Sequence, residues 1–189
     1  TQAKQLLSLF DQGNHEQVII QATNLLRSHP KSSWLYNLLG LSLKNIGDLQ
    51  RAEKLFTLAS QLDKDDYNAH FNLGNCLSAQ NKFSDAISAY SRAIEIDPLN
   101  YGAYQNMGNA HFRRSEMNEA CDAYLKAVKI NSTLPEIHYN LGLIYRDTNR
   151  FHNAIESFNT AIELRPSYWS ALAALYYVKR TICDWCSVK

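Results

Sequence analysis

Residues 67–100 read YNAHFNLGNCLSAQNKFSDAISAYSRAIEIDPLN, and this stretch decides the fold. From Tyr67 to Gln80 there is no proline, and apolar residues recur three and four apart, as they do on one face of a helix. Phe83 to Ile96 repeats the pattern, with Ile87, Tyr90 and Ile94 on the same stripe as Ala86 and Ala93. Asn81-Lys82 between them is a short turn. Asp97-Pro98 closes the second helix, because proline disfavours helical geometry in the residue before it and has no N–H to donate. The stretch predicts two helices packed back to back.

The same pattern runs outward at a fixed period. Gly40, Gly74, Gly108 and Gly142 are 34 residues apart, as are Ala52, Ala86, Ala120 and Ala154, and Ala59, Ala93, Ala127 and Ala161. Large rings lie between those alanines at Phe56, Tyr90, Tyr124 and Phe158, and Pro30, Pro98 and Pro166 keep the same frame. Counting Ser33 as position 1 puts the glycine at position 8, the alanines at 20 and 27, and the ring at 24. Five units follow: 1–32, 33–66, 67–100, 101–134 and 135–168. The first is degenerate, with Leu6 in the glycine column and Val18 in the alanine column. Residues 169–189 supply a closing helix over Trp169 to about Arg180, expected to show a polar outer face as the end of an array requires, and then the start of a junction. Glycine and alanine let helix backbones approach closely, and the ring fills the space between neighbours. No pair buries its apolar face alone, so the stack is the fold.

Composition narrows the function. The chain has 189 residues, 46% of them hydrophobic, enough to bury an extended core. Nineteen Lys and Arg against 18 Asp and Glu leave a net charge of +1, which carries no basic footprint for nucleic acid. No apolar run approaches the ~20 residues of a membrane span, and no signal peptide opens the chain. The helical pattern is already under way at Thr1, which reads as an internal cut from a longer protein. Four cysteines are too few for a disulfide scaffold of this length, so a reducing compartment such as the cytoplasm is expected.

The columns resemble the tetratricopeptide repeat, through Tyr104…Met107-Gly108…Ala120…Tyr124…Ala127 and His70…Leu73-Gly74…Ala86…Tyr90…Ala93…Pro98. The resemblance covers nearly the whole chain and implies an all-α, right-handed solenoid. It also implies a concave groove lined from positions 2, 5, 6, 9, 12 and 13 of each first helix. Carried over residue by residue, position 6 gives Asn72, Asn106 and Asn140, after Leu38 in the second unit. Position 9 gives Asn75 and Asn109, between Leu41 and Leu143, with Tyr177 in the closing helix. Trp34, Asn37, Phe71, Gln105, Glu136 and Tyr139 come from positions 2 and 5. A side-chain amide offers an acceptor and two donors, so a row of them pairs with a peptide backbone whatever its side chains. It equally bonds between neighbouring helices, and the rings equally pack on the next repeat. Lys44, Arg113, Arg114, Arg146 and Arg180 make a weakly basic rim, against Asp147, that steers acidic segments or is simply solvated. Positions 2, 5 and 6 hold no Lys or Arg, so the charge-assisted clamp by which chaperone-binding members of the family hold a C-terminal carboxylate is not expected.

Little here points to chemistry. Cys183-Asp-Trp-Cys186 is one C-x-x-C, half of a zinc site or a redox pair, with no second pair to complete it. His70, His138 and His111 occupy core positions and are expected to pack. No enzyme, metal or cofactor is expected in this chain. Ile182-Cys183-Asp184-Trp185, directly after the array, resembles the junction between repeats and catalytic domain in O-linked N-acetylglucosamine transferases, whose asparagine-lined groove the amide columns also match. Cys186 and the leucines Leu38 and Leu41 depart from that pattern. The resemblance implies a recruiting arm that binds protein or extended peptide for a glycosyltransferase. The alternative is a free-standing adaptor or a self-association module forming homo-oligomers.

Overall fold

The computed structural model describes residues 2–186, with side chains through Cys183; Asp184, Trp185 and Cys186 as side chains, and Thr1 and residues 187–189 altogether, lie outside the described residues. Eleven helices and no strands are found among the described residues, an all-α helical repeat fold. The chain divides into two compact units, Thr1–Leu99 and Asn100–Lys189. The first holds α1 (Gln2–Asp11), α2 (His15–Ser28), α3 (Ser33–Asn45), α4 (Leu49–Leu62), α5 (Tyr67–Ala79) and α6 (Phe83–Ile96). In the second lie α7 (Tyr101–Arg113), α8 (Met117–Ile130), α9 (Pro135–Asp147), α10 (Phe151–Leu164) and α11 (Trp169–Cys186). Gln80, expected as the last residue of α5, is its C-cap.

The first helices α3, α5 and α7 open on a cap set by one column of the repeat. Ser32 Oγ accepts from the backbone N–H of Leu35, Asp66 from Asn68 and Ala69, and Asn100 from Gly102. In the same column Leu134 has no side chain to cap with, and Pro135 begins α9 instead, where a missing N–H costs nothing. Another column ends each first helix. Gly13, Gly47, Asn81, Ser115 and Asn149 all take positive φ, between 57° and 90°. The N–H of the following residue reaches back to a carbonyl in the last turn, as from Asp48 to Leu43 and from Glu116 to His111 at 2.9 and 3.0 Å. Ser115 fits this left-handed geometry worst, since its Cβ crowds the next carbonyl. Ser115→Gly is therefore expected to raise the unfolding free energy by about 0.5–1 kcal/mol in denaturant titration, while Asn81→Gly stays near neutral.

The glycine and ring columns meet inside each two-helix hairpin, not between neighbouring ones. A Cβ built on Gly40 would lie 2.7 Å from Cε1 of Phe56, and one on Gly74 2.5 Å from Cε1 of Tyr90; Gly108 with Tyr124 and Gly142 with Phe158 repeat the arrangement. The alanines at positions 20 and 27, such as Ala52, Ala59, Ala120 and Ala127, are fully buried. What looked like degeneracy in the first repeat is an inversion of the same packing. Leu6 stands at position 8 and Ala22 at position 24, and both are buried in one cluster with Val18. The large and small partners have changed places, and the hairpin still closes.

The closing helix departs from expectation twice. It runs through the Cys-Asp-Trp segment to Cys186, instead of ending near Arg180. Its inner stripe of Ala171, Ala174 and Val178 packs on Phe158 and Ala154, but its outer face sets the rings of Trp169, Tyr176 and Tyr177 beside the expected polar residues Ser170, Lys179 and Arg180.

Candidate peptide-binding faces

In the first unit, the expected groove positions of α3 and α5 hold Trp34, Asn37, Phe71, Asn72 and Asn75. Asn72 Nδ2 donates to Asn37 Oδ1 at 3.0 Å, so the two amides form one hydrogen-bonded pair across adjacent first helices. Asn37 is buried and Asn72 half-buried. Tyr90, at position 24, donates its hydroxyl to Asn75 Oδ1 at 2.9 Å. Phe71 stacks on Tyr67 with ring centroids 5.5 Å apart and meets Tyr90 at 6.1 Å. Burial, with Asp97 nearby, pushes the Tyr67 phenol up to about 12.

The second unit repeats the design from α7 and α9. Tyr124 donates to Asn109 Oδ1 at 2.6 Å, and Asn140 Nδ2 lies 3.3 Å from both Asn109 Oδ1 and the Tyr124 hydroxyl. Burial raises the Tyr90 and Tyr124 phenols well above their ordinary range, so both remain donors at any physiological pH. Tyr139 packs between Phe158 and Tyr168, with centroids at 5.9 and 5.1 Å. Gln105 and Asn106 are half-buried on α7.

The amide columns are thus tied together within each unit, and the rings at position 5 are held in small aromatic clusters. One feature of the columns signalled the hydroxyl bonds and was not read: repeats with tyrosine at position 24 have asparagine at 9 (Tyr90 with Asn75, Tyr124 with Asn109). Repeats with phenylalanine have leucine (Phe56 with Leu41, Phe158 with Leu143). A polar ring tip is buried only where a polar partner waits for it.

Trp34 stands apart from the other rings. It is 40% exposed and lines an open pocket of about 210 Å3 with Gln2, Ala3, Leu25, His29, Ser32 and Leu35. Leu25 and His29 come from the end of α2, which sequence reasoning did not assign to any site. A pocket of that size and lining accommodates one large apolar side chain.

The basic rim is partly neutralised where it stands. Arg146 pairs with Asp147 at 2.7 Å, and Arg114 with Glu116 at 2.9 Å. Lys44 is half-buried, and Arg113 and Arg180 are exposed. Glu136 pairs with Arg165. The histidines do more than pack: His70 bonds the Lys64 carbonyl, His138 that of Ser132, and His111 the carboxylate of Glu116 at 2.7 Å. Each ties a helix to the loop or turn beside it.

Among the described residues, no group of three or more His, Cys, Asp or Glu is arranged to hold a metal ion, and no helix is long and apolar enough to cross a membrane. Cys183 is exposed near the end of α11, while its expected companion Cys186 lies, as a side chain, outside the described residues.

These elements define an all-α helical repeat protein built from 34-residue hairpins. Tetratricopeptide repeat profiles match residues 35–66, 67–100, 108–148 and 135–168, together more than half of the chain, and the chain belongs to that family. No curated protein sequence matches it. Solved structures share the fold at low identity. MamA from residue 41 onward, of Desulfovibrio magneticus RS-1, is 21% identical with a TM-score of 0.81, over 88% of this chain and 94% of that one. YrrB, described as a TPR protein with an unusual peptide-binding site, is 18% identical with a TM-score of 0.79, over 89% and 87%. PilF of Pseudomonas aeruginosa is 15% identical with a TM-score of 0.84, over 96% and 82%.

Proposed function

We propose that the protein is an interaction scaffold that binds extended peptide segments on the inner faces of its first helices. The observation that carries this reading is the pairing of the amides. Asn72 is held by Asn37, and Asn140 by Asn109 and Tyr124. An amide already fixed by one bond loses little further freedom when a peptide backbone pairs with what remains of it. The Asn72–Asn37 bond engages one N–H of Asn72 and leaves acceptor capacity on its carbonyl. In the first unit, Trp34 and its pocket add a place for one apolar side chain of the bound segment, the kind of aromatic anchor that dominates binding energy. The peptide-binding site named for YrrB accords with this use of the fold.

The test is a fluorescent peptide selected from a random-sequence display library on the intact chain. Asn72→Ala/Asn106→Ala/Asn140→Ala is expected to weaken its binding about tenfold or more, with an unchanged far-UV spectrum and a melting temperature lowered only by the lost interhelical bonds. Trp34→Ala, which removes no such bond, is expected to weaken binding of peptides with an apolar residue at the anchor position. Unchanged affinity in both variants overturns the reading.

The Cys183-Asp184-Trp185 segment supports a narrower version, in which the scaffold recruits substrates or partners for a glycosyltransferase. The sequence encoded beyond Lys189 decides it. A doubly wound α/β domain with a glycine-rich phosphate loop upholds the narrower reading, and its absence overturns it while leaving the peptide scaffold standing.

A further inference from the structure

The outer face of α11 carries the most exposed rings of the second unit among the described residues. Trp169 is 75% exposed, Tyr176 71% and Tyr177 60%. Trp169, Ala173, Tyr176 and Arg180 stand four, three and four residues apart, which is the spacing of a heptad seam. All four are exposed, on the side of the helix away from the buried Ala171, Ala174 and Val178.

Tyr176 also occupies position 8, the glycine column. In the preceding hairpins that position receives the ring of the following helix, and a Cβ there would overlap it. A second helix of the ordinary repeat type therefore has no room on α11. The first repeat shows what a large residue at position 8 requires: Leu6 is matched by the small Ala22. Tyr176 needs a small residue opposite it.

We infer that the outer face of α11 is a self-association surface that takes α11 of a second copy, antiparallel, with Tyr176 of each seated over Ala173 of the other. The stripe is self-complementary in that arrangement. Reversed about the midpoint between Ala174 and Leu175, Tyr176 meets Ala173, Arg180 meets Trp169, and Tyr177 meets the half-buried Leu172, in both directions at once. Such reciprocity is what a two-fold interface demands. Arg180 over an indole is a favourable cation–π pair, Lys179 comes opposite Ser170, and no two like charges are opposed among the described residues. Antiparallel helices also set their macrodipoles in attraction. Three rings of this exposure bury on the order of 450 Å2 per copy, or about 900 Å2 in all, which places the contact at the low end of specific interfaces and makes it a weak, concentration-dependent dimer.

Sedimentation equilibrium over a micromolar concentration series tests the pairing, with far-UV circular dichroism confirming that each variant is folded. The unaltered chain is expected to dimerise with a micromolar Kd. Tyr176→Ala is expected to weaken the dimer about tenfold or more. Ala173→Tyr should weaken it as much, although it adds apolar surface, because it sets ring against ring. The exchange Ala173→Tyr/Tyr176→Ala restores the large-on-small match and is expected to bring Kd back to within about threefold. A wild-type chain that is monomeric throughout overturns the inference. So does an Ala173→Tyr variant that associates more tightly, which is the mark of indiscriminate adhesion, and so does an exchange variant that stays as weak as either single change.

Discussion

Gly40→Leu is expected to destabilise the protein by about 3 kcal/mol or more, and Phe56→Ala by about 3–5 kcal/mol, while the two together cost at least about 2 kcal/mol less than the sum. The first change drives a side chain into a ring that has nowhere to go. Even a bare Cβ on Gly40 would sit 2.7 Å from Cε1 and 2.9 Å from Cδ1 of Phe56, which is itself fully buried. Truncating Phe56 leaves a cavity in the same place. Combined, the substitutions copy the pair Leu6 and Ala22, which already closes the first hairpin with the large residue on the other helix. Chemical denaturation of the four proteins in the cycle measures the coupling. Additive losses would mean that Leu6 and Ala22 are unrelated and that the first repeat is merely decayed.

That pair shows where the sequence was legible and where it was not. A column read one position at a time registers Leu6 as a missing glycine. Only the shared buried cluster points to Ala22, sixteen residues on in the other helix, as the residue that takes up the change. The invariant columns were readable because one physical demand, close approach of two helix backbones, admits almost one residue type. The turn was readable at Asn81-Lys82, but the left-handed column of Gly13, Gly47, Asn81, Ser115 and Asn149 was not, since that geometry accepts several residues and the column shows no constant letter. Asn72 and Asn140 were placed correctly as residues of the first helices, yet spacing alone carries no information on whether an amide turns to a neighbour or to a ligand. The structure gives both a neighbour. The ring-bearing outer face of α11 was missed for a different reason. The demand for a polar array end is a rule about solubility, and the inferred pairing of α11 would release the helix from it.

The pairing of position 9 with position 24 separates holding the fold from binding a peptide. Tyr124 is 1% exposed and donates to Asn109 Oδ1 at 2.6 Å. Asn109→Leu strips the acceptor from a buried hydroxyl that burial keeps protonated, at an expected loss of about 2–3 kcal/mol. Tyr124→Phe leaves the carbonyl of a half-buried amide that water still reaches, at an expected loss of about 1 kcal/mol. The double variant recreates the leucine and phenylalanine of Leu41 with Phe56 and Leu143 with Phe158. Its only deficit is the half-buried Asn140, whose Nδ2 turns to water, so its loss is expected to stay near 1 kcal/mol, giving a coupling of about 2 kcal/mol. Thermal or urea unfolding reads that energy, and losses that simply add would contradict it. The same double variant then tests the amide cluster as a unit, since it removes Asn109 and both of the bonds that hold Asn140. It has the fold but not the amide, so a peptide that still binds it with full affinity never touched Asn109, whose asparagine is there for the tyrosine. A peptide that binds Asn109→Leu/Tyr124→Phe several-fold more weakly was using an amide that the hydroxyl had held in place for it.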